Sequence, residues 1–576
     1  MLERHEDALA AAQAAIARDP LHVDALINFG AAAQHLGRWT DAIAAYSKAL
    51  ARAPRTVVAL RNRATALRRV GRYTAALADC DELLEILPHD ADALCARGEI
   101  LRLLGHHAEA LSAFERALEI DPNHPQGLGG AAFAARNLCD FSTAERLARE
   151  IAPRIVNGMA VPTFLLLNLF DDPELHLVGA KNYVADQITT PQVLRLDSNW
   201  RSDRIRIAYL SGDFRQHPIA QLMAEVFEKH SRSSFEVIGV SYGRDDGSDL
   251  RTRIVASLDG FHDVRDSSDR EAARLVQGLR TDIVIDLTGY THGCRPGILA
   301  HRPAAIAVNY LGYPGTMGAA FIDYVIADPV VLPFDQQPFY VEKIVHLPDT
   351  YQPHDSQRKI TAEIPTRQAA GLPESGIVFC CFNNAFKITR EIFDLWMRLL
   401  GRVEGSVLWL LSSGEATNEH LRYEAKRQNI DPARLIFAER VPSEEHLARY
   451  RLADLLLDTL PYGAHTTARE ALWMGVPLVT CPGHAFASRV GASLLTAAGL
   501  PDLIAPDLGA YEELAHRLAC EPQTLAECKQ RLENQRSSAP LFSTERFVRH
   551  LETAYVTMAV ISRGHKPPQS FAVPVD

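Results

Sequence analysis

The chain has 576 residues, 47% hydrophobic and 23% charged, an ordinary globular balance with room for about three to five domains of ~100–200 residues. That composition excludes a mostly disordered chain, a collagen-like chain and a small disulfide scaffold. A net charge of -11, from 60 Lys+Arg against 71 Asp+Glu, argues against a broad nucleic-acid footprint but not against a small basic pocket for an anion.

The nine cysteines are an odd number, scattered from Cys80 to Cys528 with no C-x-x-C pair. They read as reduced thiols of a cytoplasmic protein. The opening MLERHEDALAAAQ lacks a basic stretch followed by an apolar core, so no signal peptide is expected. No run of 18 apolar residues occurs, so no membrane span is expected.

Internal repeats come first in chain order. Pro20, Pro54, Pro88 and Pro122 are spaced by 34 residues, as are Gly37, Gly71 and Gly105. Ala8, Ala42, Ala76, Ala110 and Ala144 keep the same step, and Tyr46, Cys80 and Phe114 share one slot. This register resembles the tetratricopeptide repeat, a helix-turn-helix unit. The small Ala lets two helices approach, the Gly ends a helix in a left-handed conformation, and the Pro marks the break. One helical pair cannot bury its apolar face alone, so the units must stack into a solenoid. Such a surface is expected to dock peptides or protein partners.

From about Glu150 to Asn199 the repeat is lost, and a transition region with some helix is expected. From Arg204 short apolar runs appear, bounded by Gly, Asp or Pro: RIRIAYLSGD, FEVIGVSYG, TDIVIDLTGY, AAIAVNYLGYPG, DYVIADPVV and EKIVHLPD. A second set begins near Gly376: IVFCCFN, SVLWLLSS, RLIFAER, ADLLLDT and PLVTCPG. Helical text such as SDREAARLVQGLR and TREIFDLWMRLLGRV lies between. Buried parallel strands alternating with helices predict two successive doubly wound units, which bind ligands at the carboxyl ends of their strands. A last helix is expected over residues 543–561 and a loose tail after Gly564.

No G-x-x-x-x-G-K-[ST] and no H-E-x-x-H occurs, and the D-x-D of Asp90-Ala91-Asp92 lies inside a repeat. No divalent metal site is therefore evident. What remains are polar, Gly-rich strand ends: SGDFRQHP, LTGYTHGCRPG, LGYPGTMG, FNNAFKIT, ERVPSEEHLARY and DTLPYGAHTTAREALWMGVP. In the last, His465, Thr466 and Thr467 stand before a helix, whose free NH groups and positive partial charge suit a diphosphate. Each has a plainer reading: His217 as a helix cap, Lys387 as a surface lysine, His465 to Thr467 as an ordinary cap, the THG as a turn.

Together these residues carry a resemblance. Residues 204–558 resemble the catalytic part of the protein O-GlcNAc transferases, which join tetratricopeptide repeats to a two-lobed GT-B glycosyltransferase. The matching motifs are His217-Pro218, GYPGT at Gly312 to Thr316, FN..FK at Phe382 to Lys387, SVLWLL at Ser406 to Leu411, HTT at His465 to Thr467 and ASRV at Ala487 to Val490. The resemblance implies that His217 lies on the acceptor side, as a proposed general base, and that Lys387 meets the donor diphosphate. It places Asn384 near that lysine, His446 and Arg449 on the nucleotide side, and His465, Thr466 and Thr467 in the diphosphate-binding turn. Glu470 stands where the O-GlcNAc transferases hold the ribose with an Asp, and Ser443 where animal enzymes have a Lys. Gly315, Thr316, Leu411, Val441 and Pro442 fall on the donor side by the same matching. The stretch around Glu470 also resembles the SPINDLY-type protein O-fucosyltransferases, which leaves the donor open.

The expected architecture is an α-helical solenoid over 1–149, a helical transition over 150–202, a Rossmann-like lobe over 203–373, a nucleotide-sugar-binding Rossmann-like lobe with closing helix over 374–562, and a loose tail over 563–576. The expected function is an inverting protein O-glycosyltransferase moving GlcNAc from UDP-GlcNAc to Ser/Thr hydroxyls, with no cofactor, no metal, and no nucleic-acid or membrane partner. Lys387 and the amides near His465 would stabilise the departing diphosphate, and His217 would accept or relay the hydroxyl proton. The alternatives are a GDP-fucose donor and a non-catalytic scaffold.

Overall fold

The structure is a computed structural model that describes residues 2–188, 193–195 and 203–575. It divides into two compact units. One holds Met1–Leu138, Ser142–Pro153 and Val264–Leu275, and the other holds Cys139–Phe141, Arg154–Asp263 and Val276–Asp576.

The first unit is built from antiparallel helical pairs: Val23–His35 with Trp39–Arg52, Val57–Arg69 with Tyr73–Ile86, and Ala91–Leu103 with His107–Ile120. Gly37, Gly71 and Gly105 close the first helix of each pair at φ of 75°, 77° and 83°, a region that disfavours a Cβ. The residue one step on, Cys139, takes the same left-handed conformation at φ 54°, although it is not Gly. Ala42, Ala76 and Ala110 are wholly buried, as the close helix approach requires. Ring size is matched by its neighbour. A Cβ on Gly30 would stand 2.5 Å from the Tyr46 ring and one on Gly98 2.9 Å from Phe114. In the repeat between, the smaller Cys80 packs with Ala64. The segment 264–275, expected to belong with the first sheet, groups with this unit, where a Cβ on Gly37 would lie 3.2 Å from the Ser268 backbone.

The second unit carries two parallel sheets. The first comprises β1 (Ile205–Ser211), β2 (Phe235–Ser241), β3 (Gly260–Asp263), β4 (Ile283–Asp286), β5 (Ile306–Asn309), β6 (Tyr324–Ala327) and β7 (Lys343–His346). The second comprises β8 (Val378–Cys381), β9 (Val407–Leu411), β10 (Leu435–Ala438), β11 (Leu455–Leu457) and β12 (Leu478–Val479), in the order β10-β9-β8-β11-β12. A last strand, β13 (Phe571–Ala572), joins the first sheet, whose order is β13-β7-β6-β5-β4-β1-β2-β3. Strands such as β4, β5, β6 and β8 are buried at every residue, because helices cover both faces. Helix Arg390–Arg402 shows the packing: Ile392, Phe393, Leu395, Trp396, Met397, Leu399 and Leu400 are all buried, each contributing roughly 1.5–3 kcal/mol. The strand β3, GFHD, has no buried residue and too little apolar text to be read from sequence.

The transition region holds helices Thr163–Leu169 and Pro173–Gln187, in line with the helix expected there, and its residues 189–192 and 196–202 lie outside the described residues. Two further expectations change. The closing helix, Thr544–Arg563, expected with the second lobe, packs on the first sheet: the Tyr555 hydroxyl lies 3.1 Å from that of Tyr209 and Glu552 accepts from Ser231 N at 2.7 Å. The tail is not loose. β13 pairs with β7, Val573 N donates to His346 O at 2.9 Å, Ile344 N donates to Ser570 Oγ at 3.0 Å, and the Val573 side chain is buried. A parallel edge strand satisfies the open amides of β7, which Pro-rich text did not announce.

Truncation before Pro568 should therefore cost about 2–4 kcal/mol, from lost burial of Val573 and part of Phe571 and from strand hydrogen bonds of about 1 kcal/mol each. Urea denaturation followed by tryptophan fluorescence measures it. An unchanged midpoint would restore the loose-tail reading.

Candidate active site

Each sheet reverses its strand order once, between β1 and β4 in the first and between β8 and β11 in the second. Connections leave such a point in opposite directions, and a crevice opens beyond the strand carboxyl ends. β1 leads to His217, β8 to Lys387 and β11 to His465. These three candidate residues thus lie at the two switch points.

Lys387 ends a short 3-10 turn, Ala385–Lys387, between β8 and the Thr389 cap of helix Arg390–Arg402. It is buried. Its Nζ donates to Gly463 O at 2.8 Å and lies 4.0 Å from the centre of the Tyr462 ring. Burial pushes its pKa down to about 7, against the pull of Asp458. Asp458 is itself buried at the end of β11 and gathers the turn that follows. Its Oδ1 accepts from Thr459 N at 2.8 Å and Ala464 N at 2.6 Å, and its Oδ2 accepts from Thr480 Oγ1 at 2.6 Å. Burial raises its pKa, and these bonds and Lys387 oppose the rise.

His465 donates from Nε2 to Ala487 O at 3.1 Å and stacks on Tyr462 at 4.8 Å. A carbonyl only accepts, so Nε2 carries the proton. Burial, helped by Lys387, holds the ring well below its ordinary pKa. The imidazole is neutral, and its remaining Nδ1 is a lone pair that cannot donate to an anion. The positive end here is backbone: helix Thr466–Trp473 starts after His465 with no side chain capping it. Thr467 Oγ1 donates to Asn383 Oδ1 at 2.6 Å, Asn383 Nδ2 to Thr459 Oγ1 at 2.8 Å, and Thr459 Oγ1 to Tyr462 O at 2.7 Å. This run locks the turn to β8. Thr466, partly exposed, sits at the same helix start.

Glu470 lies one turn further along that helix and is buried. Its Oε1 meets Arg358 Nη2 at 2.7 Å and its Oε2 lies 3.5 Å from His446 Nε2. Burial pushes its pKa up, but His446 and Arg358 together bring it below the usual carboxylate value. His446 and Arg449 share helix Ser443–Arg449, in which His446 Nδ1 pairs with Arg449 Nη2. The Arg449 guanidinium stands 4.6 Å over the Phe382 ring, and its buried Nε has no hydrogen-bond partner among the described residues. Such an orphaned donor suits a ligand or water. Ser443 Oγ accepts from Arg358 Nη2 at 2.9 Å and from Gln221 Nε2 at 3.3 Å.

His217 caps helix Pro218–Lys229. Its Nδ1 accepts from Ile219 N at 3.3 Å, and its Nε2 lies 3.8 Å from Asp213 Oδ1. Burial lowers its pKa, against the pull of Asp213. With Nδ1 accepting, the neutral ring keeps its proton on Nε2. The plain helix-cap reading therefore holds, and in this arrangement the ring is set to donate. It could take a hydroxyl proton only by giving up its capping bond.

The remaining residues do not join these clusters. Thr316 is buried with its hydroxyl donated to Glu342 Oε2 at 2.7 Å, and the Gly315 carbonyl accepts from Asn309 Nδ2 at 3.1 Å. Their groups are spent inside the first sheet's loops. Asn384 is exposed and accepts from Arg440 Nη2 at 2.9 Å, whereas its buried neighbour Asn383 bonds into the turn that follows β11. Leu411 ends β9, and Val441 and Pro442 form an exposed rim after β10. Sequence reasoning missed Asn383, Asp458, Tyr462 and Arg358. The first three carried a signal, since they lie inside motifs already singled out, but Arg358 sits in a connection with no motif. Among the described residues no group of three His, Cys, Asp or Glu is placed to hold a metal ion.

Comparison with known proteins supports one family. The profile of glycosyl transferase family 41 matches residues 189–362 and 355–551, and tetratricopeptide-repeat profiles match 2–57 and 55–123. A probable UDP-N-acetylglucosamine–peptide N-acetylglucosaminyltransferase of Arabidopsis thaliana, SEC, is 36% identical over 70% of this chain and 43% of its own length. The Caenorhabditis elegans UDP-N-acetylglucosamine–peptide N-acetylglucosaminyltransferase is 28% identical over 61% of this chain and 40% of its own. A SPINDLY protein of Oryza sativa, also named as a probable enzyme of that activity, is 31% identical over 64% and 40%. The chain thus spans less than half the length of these relatives. A solved mutant of the Thermobaculum terrenum O-GlcNAc transferase superposes with a TM-score of 0.69 at 26% identity, covering 95% of this chain and 99% of that one. With repeats followed by two parallel-sheet lobes of the GT-B kind and a family profile running over both lobes, the chain belongs to glycosyl transferase family 41.

Proposed function

We propose that this protein is an inverting protein O-glycosyltransferase that moves GlcNAc from UDP-GlcNAc to Ser or Thr hydroxyls. The observation that carries the reading is the convergence of a buried lysine, Lys387, and an uncapped helix start at Thr466 on the switch point of the second sheet. The relatives named for that transfer support it. In the reaction an acceptor hydroxyl oxygen bonds to the anomeric carbon while the bond to the diphosphate breaks, and the hydroxyl proton passes to the departing diphosphate and from there to solvent. The departing diphosphate gains charge, which Lys387 and the amides of the first helical turn stabilise in this reading. His465 and Asn383 hold that turn in shape. His217, a donor through Nε2, orients the acceptor on the first-lobe side. The repeats supply the surface for protein acceptors. Among the described residues no helix is long and apolar enough to cross a membrane and no disulfide joins the cysteines, and the place we propose for the protein is the cytoplasm. Assaying transfer from UDP-GlcNAc and GDP-fucose side by side, with product mass, tests the donor. Fucose transfer without GlcNAc transfer would replace this reading.

Lys387→Met keeps the stem and removes the charge. A charge-assisted bond to a buried phosphate is worth roughly 1.5–3 kcal/mol, and more as charge develops, so turnover should fall at least ~100-fold. The circular dichroism spectrum should not change. A folded variant with wild-type turnover would remove Lys387 from the reaction.

The pKa of about 7 also predicts a pH dependence. UDP-GlcNAc does not titrate near neutrality, whereas its diphosphate must raise the Lys387 pKa on binding. Below pH 7 the lysine is already charged and affinity is flat. Above pH 7 each binding event must recruit a proton, so Kd should rise by up to ~10-fold per pH unit. Titrations at pH 6, 7, 8 and 9 read this directly. Lys387→Met should bind weakly and without slope, and a flat wild-type profile would contradict the buried, near-neutral lysine.

A further inference from the structure

The connection between β7 and β8, residues 347–377, is tied to the first sheet's helices along its first half. Asp355 accepts from Arg253 Nη1 at 2.7 Å and Nη2 at 3.0 Å, and Arg253 belongs to helix Asp249–Ala256. Ser356 donates its amide at 2.7 Å and its hydroxyl at 2.9 Å to Glu225 Oε2, on helix Pro218–Lys229. Thr544 Oγ1 donates to His354 O at 2.8 Å. Two residues on, the connection crosses to the second sheet. There a single nitrogen, Arg358 Nη2, reaches Glu470 Oε1 at 2.7 Å and Ser443 Oγ at 2.9 Å. Glu470 and Ser443 stand on the two helices of the nucleotide side, Thr466–Trp473 and Ser443–Arg449.

We infer that Arg358 is a positioning residue for the donor's nucleoside: it aims the Glu470 carboxylate at the ribose from a segment anchored to the other lobe. The inference rests on the reading that this pocket takes a nucleotide sugar. A carboxylate has about four lone-pair sites. Arg358 claims one on Oε1 and His446 faces Oε2, which leaves one on each oxygen for the two hydroxyls of a vicinal diol. The side chains of Arg358 and Glu470 are 10% and 7% exposed. A pair so desolvated is a poor device for stability alone, since apolar side chains of similar volume often serve as well. Held from both sides, the carboxylate has little freedom to rotate away from the ribose. Because the guanidinium arrives from the connection, the ribose site is complete only when the two lobes are docked.

The test compares UDP with 2′-deoxy-UDP on the full chain, by titration calorimetry, together with KM and kcat for UDP-GlcNAc. A site built to bond a hydroxyl rejects the analogue that lacks it, so wild type should prefer UDP by at least ~10-fold. In Arg358→Met that preference should shrink to within ~3-fold, with KM raised far more than kcat. Arg358→Lys, which restores a cation, should recover part of the preference. It also serves if Arg358→Met does not fold, in which case the Lys variant must lie measurably below wild type in preference. A folded variant that keeps the full UDP over 2′-deoxy-UDP ratio overturns the role of Arg358 and leaves the nucleotide pocket standing. Wild type that binds neither UDP nor GDP at millimolar concentration overturns the functional reading itself, and this inference with it.

Discussion

Burying an ammonium without a carboxylate bonded to it is costly, and the second sheet is arranged around that cost at Lys387. The interior disfavours the charged form, and the pKa falls to about 7. What holds the side chain there is a carbonyl, Gly463 O, and a ring face, Tyr462, both presented by the turn that follows β11. That turn keeps its shape because the buried Asp458 carboxylate collects two of its amides and the Thr480 hydroxyl. The same turn ends at an uncapped helix start. A buried amine with no carboxylate bonded to it and a helix end with no side-chain cap are both favoured by a nearby anion, which in the proposed function is the donor's diphosphate.

The neighbouring residues are fixed by this arrangement more than by direct need of a ligand. His465 spends its one proton on Ala487 O, so within the proposed function its part is to orient backbone. Ala487 O also accepts from Gly463 N at 2.9 Å, which ties the helix after β12 into the same turn. Asp171, from the transition region, accepts from Ala485 N at 2.8 Å and Ser488 Oγ at 2.9 Å, and so holds that loop in turn. Phe164 from the same region packs 5.7 Å from Tyr462 and 5.9 Å from Phe386. The stretch that carried no motif in the sequence is a brace for the lysine's surroundings.

Periodicity made most of the fold legible. The 34-residue step fixed the solenoid through Ala42, Ala76 and Ala110, and Gly37, Gly71 and Gly105 show why the step carries a glycine. Apolar runs found every strand that is buried on both faces. They failed at β3, whose four residues are not buried, and at β13, whose two residues gain their structure from β7 rather than from their own propensity. At the candidate site, resemblance pointed to loops of which several meet at the switch points, and the structure separates neighbouring residues within them. Resemblance chose Asn384, which is exposed, over Asn383, which is buried and bonded. It placed Thr316 on the donor side, although that hydroxyl is committed to Glu342. Such choices depend on which way a side chain turns, and one-dimensional spacing does not carry that. Arg358 was invisible for a further reason: its meaning comes from two helices more than 80 residues downstream in sequence.

In the proposed function Lys387 rests largely uncharged above neutrality and is charged when the donor binds. Titration calorimetry at pH 8 in buffers of different ionisation enthalpy counts the protons that accompany UDP-GlcNAc. The account predicts uptake of close to one proton per site by the wild type (roughly 0.9 if the bound pKa lies well above 8) and none by Lys387→Met. Tight binding by the wild type with no proton taken up would contradict it.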